Sequence, residues 1–467
     1  MAQYLSPGVY VEEVPSAIKP IAGAGTSTAG FIGVVPDGVM DQPLSKITGA
    51  LLGVGDGANK VFKLPVYPAG KTTVKVDGAD ATAGVTFAND DTNKVSTATF
   101  ATAPTAGQKV TADEIPGFSP VPAGTPKLCT TFSDFKKFFG DFSGNLGHDR
   151  LAQAVYGFFN NGGSRCYVMR VKAEADVSKF LVNFEAIDEI AIVAAPGLAQ
   201  NDTDGKNTRT QIIAHCVVRT RNRFAIFDSP EVVESGNPAA LDLGQLDPKA
   251  SNTVMPPVSD CAAFYFPWLQ AVDPITNAVV NVPPSGHIAG VYARVDNSRG
   301  VHKAPANEPA LGAIGLKYNI SRAQQDGLNP QGVNCIRNIN GNITVWGART
   351  LGGDANADLK YINVRRTLLF VRKSIEEGTQ WVVFEPNDQG LWQKITRNIT
   401  AFLTNVWRSG ALFGATPQQA FYVKCDAETN PPELRDVGQV VTEIGVAIVR
   451  PAEFVIFRIS QFTAPSN

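Results

Sequence analysis

Residues 190–197 read IAIVAAPG, six apolar residues in a row stopped by Pro196-Gly197. A strand with one wet face alternates, so an unbroken run fits a strand covered on both faces, as in a parallel sheet flanked by helices. Further strand patterns lie on either side: SRCYVMRV (164–171), RFAIFD (223–228) and CAAFYFPW (261–268). Between them the period becomes helical. Ser133 is placed to cap a short helix through Phe139, and residues 149–160 carry Leu151, Val155, Phe158 and Phe159 before an Asn-Asn-Gly-Gly stop. Helices are also predicted over 209–220 and 285–295, the latter with Ile288, Val291, Tyr292 and Val295 inward. Strands alternating with helices argue an α/β (α+β) layered core. The Pro- and Gly-rich stretch 229–260 reads as a long surface loop.

Upstream the composition changes. All 20 arginines fall at or after Arg150, and residues 37–127 also lack Cys, Trp and His. That segment reads KVFKLPVY, TVKVDG, GVTFAND, VSTATFAT and QKVTADE, short alternating runs with Asp77-Gly78 between two of them, the pattern of a small antiparallel sandwich or barrel. Downstream the chain is more helical. Tyr361, Val364, Leu368, Val371 and Ile375 step by 3 and 4, as do Trp392, Ile395, Ile399, Phe402 and Val406, so two amphipathic helices are predicted. WVVFEP between them reads as a strand ended by Pro386, and FYVKCD, residues 440–449 and residues 454–460 as further strands. The boundaries follow as 1–36 for an N-terminal arm, 37–127 for an inserted β domain, 128–350 for the α/β core and 351–467 for a C-terminal domain with its own arm.

Totals narrow the function. Lys plus Arg (41) against Asp plus Glu (43) leaves a net charge of −2, which gives the whole molecule no electrostatic pull toward nucleic acid or an anionic membrane. No segment approaches the roughly 18 apolar residues of a membrane helix, and the first basic residue is Lys19, so neither insertion nor a signal peptide is expected. Six scattered cysteines read as buried thiols made in a reducing cytoplasm.

Chemistry finds little footing. GAGTSTAGFIG (23–33) lacks the lysine of a phosphate loop and the G-x-G-x-x-G order, so Gly23, Gly25 and Gly30 read as a hinge, with Pro451 a second one. Its Gly25-Thr26-Ser27-Thr28-Ala29 only brushes the serine-hydrolase elbow. His148, His215, His287 and His302 show no metal-ligand spacing and read as structural, so neither a catalytic set, a metal nor a cofactor is expected. Basic residues accompany both late stripes: Arg365, Arg366, Arg372 and Lys373 on one helix, Lys394, Arg397 and Arg408 on the other. They describe either a solvated face or a docking site for an acidic partner.

Several segments in family order carry a resemblance: PGVYVEEV (7–14), 148–171, PPSGHIAGVYARVDNSRGVHKAPAN (283–307), GLNPQGVNCIRNINGNITVWGARTL (327–351) and 361–426. Together they are similar to the tail sheath proteins of contractile phages and related contractile injection systems. The resemblance implies a non-enzymatic subunit that polymerises helically in many copies around an inner tube and contracts to drive that tube through a target cell envelope. It implies baseplate and tail-terminator or cap proteins as further partners, with assembly in the bacterial cytoplasm into a phage tail or an injection particle. It further implies that the arms, Pro7, Gly8, Val9, Tyr10, Val11 and Glu12 at one end and Phe454, Val455, Ile456, Phe457, Arg458 and Ile459 at the other, add strands to neighbouring subunits. Both arms on one chain favour a single-component sheath. The tube-contact candidates become Lys394, Arg397 and Arg408, with Arg365 and Arg366 second, and the insert is expected on the outer surface. Two other readings stay open at this point, an α/β hydrolase-like enzyme with a dispersed site and a glycan-binding surface module.

Overall fold

The structure, a computed structural model, describes residues 20–37, 39, 47–65, 69–90, 92–93, 95–116, 121–198, 203–273 and 276–458. The arm residues Pro7 to Glu12 and Ile459 lie outside the described residues. The chain divides into two units, 25–366 and 1–24 with 367–467.

In the first unit β1 (Ala29–Val34) is followed by two small antiparallel sheets. β2 (Ile47–Val54), β4 (Ala69–Val76), β5 (Ala79–Asp80) and β8 (Lys109–Pro116) form one, in the order β2-β8-β4-β5; β3 (Val61–Lys63), β6 (Val85–Asp90) and β7 (Val95–Phe100) form the other, in the order β3-β7-β6. Phe62, Leu64, Val74, Ala98, Phe100, Val110 and Ala112 close a core of their own between them. Alternation along β7, with Ser96, Ala98 and Phe100 inward, explains why the period was readable.

The chain returns at β9 (Lys127–Cys129), and α1 (Phe132–Phe139) follows with Thr131, not Ser133, as its cap: Thr131 and Asp134 form a reciprocal capping box. α2 (Leu146–Asn160) starts earlier than its apolar spacing shows because Asn145 accepts from Gly147 and His148. Then come β10 (Cys166–Val171), short helices α3 (Val177–Phe180) and α4 (Val182–Glu185), β11 (Ile192–Ala194), α5 (Thr203–Ala214) running on into a π-helical turn at His215–Arg219, and β12 (Phe224–Asp228). A hairpin of β13 (Glu234–Ser235) and β14 (Ala240–Leu241) precedes β15 (Ala262–Phe266). β16 (Leu269–Val272), β17 (Val279–Val282) and β19 (Gly315–Leu316) make a small antiparallel sheet around α6 (Ser285–Arg299) and β18 (Glu308–Pro309). α7 (Arg322–Leu328), β20 (Val333–Ile339) and β21 (Asn342–Val345) complete this unit before α8 (Ile362–Gly378).

Nine strands share one sheet in the order β18-β21-β20-β15-β12-β11-β1-β10-β9, parallel from β20 through β10. Alternate residues of each strand reach opposite faces. Phe31 meets Phe158 of α2, and Phe224 and Tyr265 meet Tyr292 of α6; Ile32, Val193, Ala225 and Phe227 join Val177, Phe184 and Ile212. The continuous apolar runs come from this double cover. α6 lies against α2 closely enough that a Cβ on Gly286 would sit 2.3 Å from Ala154 backbone.

Two further expectations fail here. Residues 229–260 are not a surface loop: Val233, Leu246, Val254 and Met255 are buried in the main core, which the Pro/Gly content hid. WVVFEP is not a strand: Gln380–Val382 is a 3-10 turn, Phe384 has φ +68° and is fully exposed, and the run is too short and too close to Pro386 to find a strand partner.

In the second unit α9 (Gln389–Arg408) packs Trp392, Ile395, Ile399, Phe402 and Val406 on a sheet of two strands, β22 (Phe421–Lys424) and β23 (Glu443–Val446). Ile21 of the N-terminal segment and Val371 of α8 belong to the same core.

Candidate functional site

An open α/β sheet binds ligands outside the carboxyl ends of its strands where the order reverses, here beside β1 and β11. That place is filled by the chain itself. Arg150 donates to the Gly197 carbonyl and to Glu231, both at 3.0 Å, and stacks on Trp268 at 4.8 Å. Asp228, fully buried, accepts from Ser285 N (2.6 Å), Ser285 Oγ (2.8 Å) and Gly197 N (3.2 Å); burial nevertheless pushes its carboxyl up to about 6. It anchors the start of α6 and faces no open cleft of its own.

The histidines are structural as well. Burial pulls His148, His215 and His287 down to about 4, so all three are neutral at pH 7. His215 Nε2 lies 2.8 Å from the Arg223 guanidinium, which takes the lone pair a general base would need. Among the described residues no group of three His, Cys, Asp or Glu is placed to hold a metal, and no helix is long and apolar enough to cross a membrane.

The exposed surfaces of the second unit are more telling. Among the described residues β22 and β23 have only each other as sheet partners, apart from a single bridge between Leu412 and Ile448. Two strands alone are marginal in water. α9 covers one side, while Tyr422 remains 59% exposed. Further along, Phe454, Val455, Ile456 and Phe457 are 70%, 69%, 79% and 83% exposed, and through Arg458 the segment belongs to no strand. Four consecutive large apolar side chains in water cost free energy unless another chain covers them.

α9 shows a second surface. Arg397 and Arg408 are exposed and Lys394 is half-buried, and the helix contains no carboxylate between Gln389 and Arg408. No ion pair involves these three among the described residues. The cations of α8 are different. Arg366 is buried, donates to both oxygens of buried Asp296 at 2.8 and 2.6 Å and to the Thr26 carbonyl, and lies over the Tyr292 ring at 4.7 Å. Arg365 donates from Nε (3.2 Å) and Nη2 (2.9 Å), one edge of its guanidinium, to the Cys261 sulfur and sits 3.5 Å from Asp260. Neither is presented to a partner, because carboxylates distant in sequence meet them inside the fold.

The glycines of the expected hinge differ in their surroundings. A Cβ on Gly30 would come within 2.9 Å of the Phe184 ring and one on Gly23 within 3.1 Å of Phe370, so each glycine admits a ring that a side chain would crowd. Gly25 has nothing within 4 Å of a built Cβ. Pro451 precedes the exposed C-terminal segment.

Comparison with known proteins meets this geometry. The family model described as the phage tail sheath protein central domain matches residues 172–351, and the one described as the phage tail sheath C-terminal domain matches 354–462. The tail sheath protein of Burkholderia phage BcepMu is 28% identical over 203 residues, 42% of this chain and 41% of that protein, so the match spans under half the relative's length. The sheath of an extracellular contractile injection system, PVC, solved in its contracted state, is 25% identical with a TM-score of 0.64, covering 99% of each chain. The contracted helical sheath of the anti-feeding prophage shares the fold at 24% identity and a TM-score of 0.65, over 98% of this chain and all of that one. Two domain models from one family, taking in more than half of the 467 residues, and sheath structures that share its fold place the chain in the phage tail sheath family, a structural and non-enzymatic one.

Proposed function

We propose that this chain is a sheath subunit that polymerises helically around an inner tube and shortens on a baseplate trigger, driving the tube through a target envelope. The observation that carries the reading is the exposed apolar segment from Phe454 to Phe457, which follows a sheet of only two strands in the chain. Residues 7–12 and 454–459 leave their own subunit and add strands to sheets of neighbours, where main-chain hydrogen bonds supply affinity and alternating side chains supply register. Gly25 and Pro451 let the arms turn while the packed units move as bodies.

Contacts to the tube have to break during the stroke. Exposed charge pairs, worth about 0–1 kcal/mol each, suit such a surface, and Lys394, Arg397 and Arg408 on α9 are the residues assigned to it. The segment 37–127 sits on the outside, where no neighbour has to pass. Assembly takes place in the bacterial cytoplasm, with cap proteins ending the lattice, in a phage tail or an injection particle.

Negative-stain electron microscopy of the full chain, of a variant lacking residues 1–14 and of one ending at Glu453 tests the reading. Striated hollow tubes from the full chain that vanish with either truncation are expected. Tubes from both truncations would remove strand exchange, and compact monomers from all three samples, with and without inner tube present, would remove the sheath itself.

A further inference from the structure

β9 and β10 run antiparallel, in a register that sets Cys129 directly opposite Cys166. Directly opposed residues of an antiparallel pair point to the same face, with Cα atoms about 4.5 or 5.5 Å apart, within the roughly 4.4–6.8 Å that a disulfide spans. Both side chains are buried and both thiols are free. No other two cysteines face each other in a strand register among the described residues. β9 is also a particular place: an edge strand of three residues, at which the chain re-enters the nine-stranded sheet from the antiparallel sandwich.

We propose that Cys129 and Cys166 are a latent cross-strand dithiol that closes to an intrachain disulfide when a small disulfide oxidant such as oxidised glutathione reaches it, stapling β9 to β10. One cysteine thiolate attacks the glutathione disulfide and releases a first glutathione thiol. The second attacks the mixed disulfide and releases the other. Both cysteine sulfurs are oxidised, the glutathione disulfide is reduced to two thiols, and the two cysteine protons end on those thiols.

Packing gates the reaction. Burial pushes the Cys129 thiol up to about 12 and Cys166 well above its ordinary value, and the Asp134 carboxylate nearby opposes both thiolates. Oxidation is therefore slow while β9 stays paired and fast once the edge strand lifts, and the closed bond then holds the strand down. A subunit made in a reducing cytoplasm and carried outside the cell meets such an oxidant; that use rests on the proposed function, whereas the chemistry does not.

The test uses the full chain in glutathione buffers from fully reduced to fully oxidised, each with and without urea just below the unfolding transition, followed by acid quench and trypsin. Cleavage after Lys127, Lys136, Arg165 and Arg170 frees residues 128–136 and 166–170. The expected product is these two peptides joined, with two of the six thiols lost and the unfolding midpoint raised by a few degrees. Cys129→Ser and Cys166→Ser each abolish the link and the rise. Six thiols surviving in the oxidised urea buffer, where access no longer limits, would overturn the proposal. So would a link formed elsewhere, for instance between Cys216 and Cys261, whose charges also feel one another. Tube formation enters none of these readouts, so failure here is distinct from failure of the sheath reading.

Discussion

The nine-stranded sheet and the two-stranded sheet of this chain are finished to different degrees. In the first, helices cover both faces, and even its arginines end on carbonyls, as Arg223 does on Phe184 and Ile187. In the second, one helix covers one side and the next apolar segment of the chain stands in water. The first is covered on both faces by its own chain; the second, among the described residues, is covered on one side only. A polymer that rearranges needs both kinds of region, because only the unfinished one can exchange partners without unfolding the other.

Acid gives the widest separation between them. All four histidines fall between 148 and 302, and none lies in the unit containing β22 and β23. Burial holds His148, His215 and His287 near 4, below their unfolded value. Such depressed groups contribute stability that is present above about pH 6.5 and lost as pH falls toward 4, up to about 3 kcal/mol each. Asp228, raised to about 6, works in the opposite direction: its contribution is full below about pH 4 and lost as pH rises through 6. Three groups outweigh one, so hydrogen exchange at pH 4.5 against pH 7 should show peptides of 148–302 losing protection while 389–449 keep theirs. Uniform loss would break the comparison.

A buried charge comes next. Arg366→Met leaves Asp296 uncompensated in the core and should cost about 3–5 kcal/mol in urea unfolding, most of it recovered by adding Asp296→Leu. A loss under 1 kcal/mol would mean that Arg366 is solvated after all. On the unfinished side, Ile456→Asp should leave monomer stability within about 0.5 kcal/mol and still prevent tubes in electron micrographs. Reversing Lys394 and Arg397 to Glu should weaken assembly on the tube roughly tenfold at low salt and less at high salt; salt-insensitive, unchanged assembly would remove α9 from that contact. The smallest effect belongs to the insert: excising 37–127 with a short linker should leave polymerisation intact in the same micrographs, and a folded core that no longer assembles would put the segment at an interface.

Much of the finished region was legible because burial on both faces writes itself as unbroken apolar runs, and IAIVAAPG needed no partner to be read. α8 and α9 were equally clear from their stripes. Arg365 and Arg366 were misread for a physical reason: opposite an apolar stripe a cation reads as solvated, and only Asp260 and Asp296, about 70 or more residues away, turn it inward. The rings packed on Gly23 and Gly30 were equally hidden, since a glycine that admits a ring looks in sequence like one that bends a chain. Residues 229–260 hid their four buried apolar side chains behind turn-forming neighbours.

One feature of the large sheet bears on force. β1 is central, between β10 and β11, and runs parallel to both, with six register pairs on one side and three on the other. A tug on the segment that enters it acts along the strand, so these pairs are loaded in shear together and cannot be unzipped one by one. Tension that arrives along β1 is thus shared by all of these register pairs at once, and the central strand gives way only when both of its neighbours let go together.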